Sequence, residues 1–455
     1  MLSTALEKRI KRQIIGKPHR FLAIVPLGFE QTLVQELQGF GLEFTDAQGA
    51  PAIAGDGKVE FIAKITEAWK AVAYSRIANR VLMHVDDFKA ENFRDLEKKA
   101  AEIPWELYLA PDPVQIHVTC KHSRLYHSDA IAERLQKVLE GVSLPLAPAA
   151  ASATPSPRGL APNTPHSAPQ NLYVTLIDDR CTIWLDLAGE ELYKRGHERF
   201  VNDAPLKETI AAAMLFEASS IAPTKEIAVF DLMAGSGTFS LEAAYMANGL
   251  IPGKCRDFAL KHQPAFKEAT WNFITKNIVA GDSGAKQSIA RIITSDISPK
   301  AVEIVKHNVE CSPLAGIEPA PVSPQLRDFF DYTAQEIADA CQVGIHSDNS
   351  NPSEASPVIV LNPPYGKRLD FDAPKLYTRL GRQLAELARA LQALGQSLTT
   401  AILAPKDDNR PGSAYTCTAN LLRECPSLSP EHNPAAKCIA TSHGGFSLNA
   451  FIAKI

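Results

Sequence analysis

At 455 residues the chain exceeds what one ordinary hydrophobic core supports, so two or three domains are expected. Its 45% hydrophobic and 22% charged content is that of a globular protein, and the absence of an apolar run of about 18 residues or of a cleavable leader argues against a membrane-spanning or secreted chain. A net charge of −4 excludes indiscriminate coating of nucleic acid, and eight dispersed cysteines without a C-x-x-C pair fit neither a zinc knuckle nor a disulfide framework, which points to a reducing, cytoplasmic setting.

Residues 1–18 form a basic arm: Lys8, Arg9, Lys11, Arg12 and Lys17 stand against Glu7, and a solvated, fraying terminus is the reading, with a phosphate contact as the alternative. Phe21–Val25 reads as a strand, and Leu33, Val34 and Leu37 mark a helix that Gly39 and Gly41 end. Val59–Ile62 is a second strand. Trp69, Val72, Ile77, Val81 and Leu82 then predict one helix from Ile65 to about Val85. Val114–Val118 alternates as a strand, and Ser128–Glu140 follows as a helix.

Residues 141–170 turn abruptly rich in Pro, Ala and Ser, a composition that cannot offset its ordering entropy, so they read as a flexible insertion. Leu172–Ile177 and Thr182–Leu187 resume the same sheet as a hairpin around Asp178 and Asp179. From Pro205 strands and helices alternate as in a doubly wound parallel sheet. The expected strands are Ile227–Phe230, Ile289–Thr294, Val358–Leu361 and Leu398–Leu403, with helices at Thr238–Ala247, Pro299–Val309 and Pro374–Leu394 between them. A final hairpin, Lys437–Thr441 and Ser447–Ile452, closes the far edge through Gly444 and Gly445.

Four places along that sheet carry chemistry. Asp231-Leu-Met-Ala-Gly235-Ser-Gly237-Thr238 joins a buried strand to a helix through a glycine turn that lets a ligand approach the backbone. It lacks both the dinucleotide spacing and the lysine of a P-loop. Asp296 ends the next strand, where a carboxylate can hold ribose hydroxyls or cap the following helix. Asp328 follows the third strand as a candidate for an adenine amine, with Asp331 competing. Finally, Asn362-Pro363-Pro364-Tyr365 ends a buried strand in a rigid loop at the ligand side of the sheet. The Asn362 carboxamide oxygen and the Pro363 carbonyl can accept both hydrogens of a planar amine, and Tyr365 offers a face to an extruded base.

Together the glycine turn and Asn362–Tyr365 resemble the class I amine-nitrogen methyltransferases. Leu185-Asp-Leu-Ala-Gly and Lys207-Glu208-Thr209 resemble one branch, the THUMP-containing RNA guanine-N2 methyltransferases, and within it the amino-terminal half of the bacterial 23S ribosomal RNA enzyme. The resemblance runs over roughly residues 20–455. It implies an α/β fold: a Rossmann-like class I methyltransferase domain at 191–455, preceded by an α+β ferredoxin-like subdomain at 19–62 and a THUMP RNA-binding domain at 63–190. It implies S-adenosylmethionine as cofactor, held by Asp231, Met233, Ala234, Gly235, Ser236, Gly237, Thr238, Asp296 and Asp328, with Thr209 and its neighbouring amides near the methionine carboxylate. Asn362, Pro363, Pro364 and Tyr365 are the implied catalytic loop, no metal is implied, and the implied substrate is N2 of a guanosine in 23S rRNA. A tRNA guanine remains the alternative, as do an adenine N6 or a glutamine amide. Lys121, Arg124, Lys194, Arg195, Arg199, Lys367 and Arg368 are candidate phosphate contacts.

Overall fold

The computed structural model describes residues 3–44, 48–142, 144, 170–201, 205–276, 288–343, 353–365, 372–407 and 416–455; most of the Pro/Ala/Ser segment and the pair Lys367 and Arg368 lie outside these described residues. The chain forms two compact units, each discontinuous in sequence. One comprises Met1–Ile24, Gly41–Leu192 and Arg256–Ile278, the other Val25–Phe40, Tyr193–Cys255 and Val279–Ile455. Among the described residues no helix is long and apolar enough to cross a membrane.

The first unit opens with α1 (Thr4–Ile10), capped by the Ser3 hydroxyl, which accepts from Leu6 N, and continued by a π-helical turn over Lys11–Ile15. This overturns the expectation of a fraying arm. Ile10 and Ile14, one turn apart, are each 2% exposed, so the basic residues are the outward face of a docked helix, and Arg9 pairs with Glu106.

After β1 (Pro18–Ile24) comes α2 (Glu30–Gly39), which groups with the second unit; β2 (Ala52–Gly55), β3 (Lys58–Lys64), α3 (Ile65–Tyr74) and β4 (Arg80–Lys89) follow. These strands lie antiparallel in the order β2-β3-β1-β4, the split βαββαβ pattern of a ferredoxin-like module. The single helix expected from Ile65 to Val85 is therefore two elements. Ser75 leaves the helix in extended conformation, and its hydroxyl accepts from Ala78 N. Val81, Leu82 and Met83 are all buried in β4, which pairs with β1 on one side and β7 on the other, an arrangement that a locally helical period cannot reveal.

The same sheet continues through α4 (Phe93–Ala101), β5 (Val114–Lys121), α5 (Ser128–Glu140), β6 (Gln170–Ile177) and β7 (Arg180–Asp186) in the order β4-β7-β6-β5. β5 and β6 run parallel. Leu96, Ile131, Leu135 and Leu139 from the two helices pack on Leu172, Val174, Leu176 and Ile183 of the sheet. The β6–β7 hairpin turns at Asp178 (φ 49°) and Asp179 (φ 62°), both left-handed as a two-residue primed turn requires.

In the second unit the described elements are α6 (Glu208–Ile221), β8 (Glu226–Asp231), α7 (Thr238–Ala247), β9 (Ser288–Asp296), α9 (Pro299–Glu310), β10 (Pro324–Leu326), α10 (Ala334–Ala340), the short pair β11 (Gln342–Val343) and β12 (Ser353–Glu354), β13 (Ser356–Leu361), α11 (Ala373–Ala393), β14 (Thr399–Pro405), α12 (Cys417–Glu424), β15 (Lys437–His443) and β16 (Phe446–Lys454); α8 (Glu268–Lys276) groups with the first unit. The main sheet has the order β10-β9-β8-β13-β14-β16-β15. Its first five strands are parallel, and β16 runs antiparallel to both β14 and β15. β13 and β14 are buried along their whole length, which is why they read as unbroken apolar runs. Strand order reverses between β8 and β13, so a crevice opens at their carboxyl ends, the usual ligand position in such sheets.

Candidate active site

The site is built at that reversal. β8 and β13 pair in parallel with Val360 opposite Asp231. The glycine turn and the Asn362 loop therefore leave adjacent strands at the same level. Asp231 itself turns inward: 1% exposed, its Oδ2 accepts from Ser240 N at 3.1 Å and from the Ser240 hydroxyl at 2.7 Å. It thus pins the first turn of α7 to the end of β8. Its Oδ1 has no donor among the described residues, and burial, opposed by the Ser240 hydrogen bonds and reinforced by Asp296, pushes its pKa up to about 7.

Asp296 ties the next strand end to the same turn. Its Oδ2 accepts from Gly235 N at 2.8 Å and its Oδ1 from Ser298 N at 2.9 Å, while Ser298, not Asp296, caps α9. Each carboxylate oxygen keeps a further lone pair for a ligand hydroxyl. Ala234 N donates to Ser295 O, so the turn is stitched to β9 twice. Gly235 (φ 56°) and Gly237 (φ 77°) are both left-handed but differ in surroundings. Among the described residues a Cβ on Gly235 meets nothing within 4 Å, whereas one on Gly237 meets Val305 of α9 at 3.0 Å. Gly237 serves packing, and Gly235 faces open space.

Asp328 sits just past β10 with its carboxylate accepting from Phe330 N; Asp331, its competitor, is exposed on the same short turn. Met233 is partly buried against the core, and Ala234, Ser236 and Thr238 are buried. Thr209 is fully buried in the first turn of α6. In the Asn362 loop, Pro363 is buried and Pro364 exposed, and the buried Asn362 Oδ1 has no donor among the described residues. The Tyr365 ring meets Phe446 edge-on, 5.7 Å between centroids and 73° between planes.

A profile of the methyltransferase domain described as RMKL-like matches residues 195–320, and one of the RlmL ferredoxin-like domain matches residues 20–82. The chain carries an RMKL-like methyltransferase domain behind an RlmL-type ferredoxin-like domain. Among relatives, the ribosomal RNA large subunit methyltransferase K/L of Allochromatium vinosum is 28% identical over 81% of this chain and 46% of its own length. The chain thus spans about half the length of the K/L enzymes it matches. It covers 87% of a Synechocystis protein, slr0064, provisionally named an RNA methyltransferase, at 28% identity over 82% of this chain. Two solved structures share the fold: SMU.472, provisionally a methyltransferase and complexed with SAH (TM-score 0.66, 22% identity, 96% of this chain and 98% of that one), and TrmN from Thermus thermophilus (TM-score 0.54, 16% identity, 96% and 100%).

Around the methyltransferase domain's glycine turn lie residues whose role the sequence did not disclose. Arg195 and Arg199, expected as phosphate contacts, are internal. Arg195, its side chain 2% exposed, grips the fully buried Glu242 of α7 through Nε at 2.9 Å and Nη2 at 3.0 Å. Arg199 pairs with Glu208 and donates to the Thr238 and Ser236 hydroxyls, and burial lowers its pKa to about 10. Between them the His197 ring meets the Tyr245 hydroxyl at 3.0 Å, and burial lowers its pKa to about 4, so it stays neutral. Alternate residues 195, 197 and 199 therefore clamp the turn and α7. Asn308 completes the clamp: its Oδ1 accepts from Phe200 N, and its Nδ2 donates to Phe200 O and Ser236 O at 2.9 and 3.0 Å. Arg124, exposed, pairs with Glu91 and Asp179; Lys121 and Lys194 are exposed.

Proposed function

We propose that the chain uses S-adenosylmethionine to methylate the exocyclic N2 of a guanosine in 23S rRNA. The observation that carries this reading is the buried Asn362 oxygen, which has no donor among the described residues, one strand over from a glycine turn with open space among those residues at Gly235. An acceptor left dry costs about 1–3 kcal/mol, an expense that a substrate amine removes on binding. The SAH named with SMU.472 and the rRNA named with the K/L relatives support the cofactor and the substrate.

In this reading Gly235 and its neighbours from Met233 to Thr238 receive the amino-acid end of the cofactor at the N-terminus of α7, with the buried Arg199 adding positive potential for its carboxylate and the amides beside Thr209 closing the pocket. Asp231 fixes the turn through Ser240, Asp296 holds the ribose, and Asp328 the adenine. The cofactor supplies an electrophilic methyl group. Asn362 Oδ1 and the Pro363 carbonyl accept the amine hydrogens and turn the nitrogen lone pair out of conjugation, Pro364 keeps the loop rigid, and Tyr365 with Phe446 offers aromatic faces to the base. Transfer yields an ammonium acidic enough to lose its proton to water, so no general base is needed. The mixed sheet β4-β7-β6-β5 is the proposed THUMP module, which reads RNA by shape and phosphates. With RNA as substrate, the site of action is the cytoplasm.

The test is Asn362→Ala. It is expected to bind S-adenosylmethionine within twofold of wild type and to lose about 100- to 1,000-fold in kcat, the scale of removing one preorganised polar group. Transfer at the wild-type rate contradicts the assignment.

A further inference from the structure

A second cluster of chemistry-bearing groups lies apart from the crevice, where the segment from Arg195 to Phe200 meets α9. His307 and Cys311 stand four residues apart on α9, hence on one face, with the Cys311 sulfur 3.5 Å from His307 Nε2. Glu198, exposed, brings a carboxylate oxygen within 4.8 Å of both. The His307 ring is held on its flat side by Phe200, stacked at 3.8 Å and 19°, and Phe200 is itself fixed at both backbone groups by Asn308.

We propose that Glu198, His307 and Cys311 form a zinc site, with water in the fourth position. Tetrahedral zinc with Zn–S near 2.3 Å and Zn–N near 2.0 Å requires a sulfur-to-nitrogen separation of about 3.5 Å, which is the separation found. A flexible, exposed glutamate closes the remaining gap by a change of rotamer. The charges balance as well. The thiol proton passes to solvent on binding, and Zn²⁺ is then neutralised by one thiolate and one carboxylate, with imidazole neutral. Without a cation, a carboxylate, a thiol and an imidazole that converge lone pairs gain little from one another. A bound ion ties residue 198 to α9, one residue from Arg199 and two from Phe200, and so fastens the clamp over the glycine turn. The borderline-soft N, S, O donor set selects zinc over magnesium or calcium.

The test uses the reduced, chelator-stripped full chain titrated with Co²⁺ as a spectroscopic stand-in. A thiolate-to-cobalt charge-transfer band saturating at a single equivalent, displaced by Zn²⁺ and absent in Cys311→Ser, is expected. His307→Gln is expected to weaken Zn²⁺ binding by more than about tenfold, at least the loss seen on removing an outer-shell partner, and Zn²⁺ raises the melting temperature of wild type but not of Cys311→Ser. Cys311 is only partly buried, and equal metal-free melting temperatures for the two proteins verify folding; His307→Gln carries the same spectroscopic test. No charge-transfer band, or a band that survives in Cys311→Ser and disappears when the exposed Cys255 or Cys438 is replaced, overturns the proposal. None of these readouts depends on methyl transfer.

Discussion

Replacing Gly235 and Gly237 one at a time by alanine separates the ligand-facing glycine from the packing glycine. Both have left-handed φ, 56° and 77°, so each alanine incurs about 1–2 kcal/mol of backbone strain. At Gly235 nothing among the described residues lies within 4 Å of the new methyl, and the cost ends there. At Gly237 the methyl meets Val305 side-chain carbons at 3.0 and 3.1 Å, which adds about 1–3 kcal/mol of overpacking. Urea denaturation is therefore expected to rank Gly237→Ala well below Gly235→Ala, at a total loss of about 2–5 kcal/mol. Isothermal titration with S-adenosylmethionine reverses the emphasis. Gly235→Ala, though the more stable, loses at least about tenfold in affinity, or 1.4 kcal/mol, because its methyl occupies the open side of the turn. Equal stability losses, together with undiminished cofactor affinity in Gly235→Ala, refute the division of roles.

Arg195→Ala removes the bidentate guanidinium partner of the buried Glu242 carboxylate, and urea unfolding is expected to show a loss of about 3–5 kcal/mol. Asp231, with its folded pKa pushed up to about 7 from 3.8, contributes stability that is present below about pH 4 and is lost as the pH rises through about 7. Asp231→Asn is accordingly expected to flatten the pH dependence of the melting temperature between pH 4 and pH 8, with its largest gain over wild type at the alkaline end; an unaltered slope contradicts the assignment. Asn308→Ala removes three hydrogen bonds that hold Phe200 and Ser236, so stability falls by about 1–3 kcal/mol and hydrogen exchange at residues 195–200 accelerates.

Much of the methyltransferase sheet was legible because its central strands carry plain signals. β8, β13 and β14 are short apolar runs stopped by glycine, by two prolines or by a polar loop, and α7 spans the same Thr238–Ala247 that the pattern predicted. Where local pattern and tertiary pairing diverge, the reading failed. Val81 and Leu82 continue the helical period of α3, yet their backbone pairs with β1 and β7. The amino-terminal arm looked solvated because its charges outnumber the two isoleucines that dock it. Two missed helices had readable caps: Asn92 accepts from Asp95 N before α4, and Thr333 and Glu336 form a capping box before α10. The clamp had no such mark. Arg195 and Glu242 are 47 residues apart, and a lone arginine in a basic stretch looks the same whether it faces water or a buried carboxylate. Phe446, on a closing hairpin, gave no sign that it would meet Tyr365.

Guanosine-N2 transfer is measured by incubating the full chain with S-adenosylmethionine labelled on its methyl group and protein-free large-subunit rRNA, tRNA or single-stranded DNA, then resolving the labelled nucleosides by mass spectrometry. N2-methylguanosine is expected in the rRNA alone, at an initial rate about 100- to 1,000-fold lower with Asn362→Ala. Label in N6-methyladenosine, in tRNA only, or in none of the three contradicts that expectation.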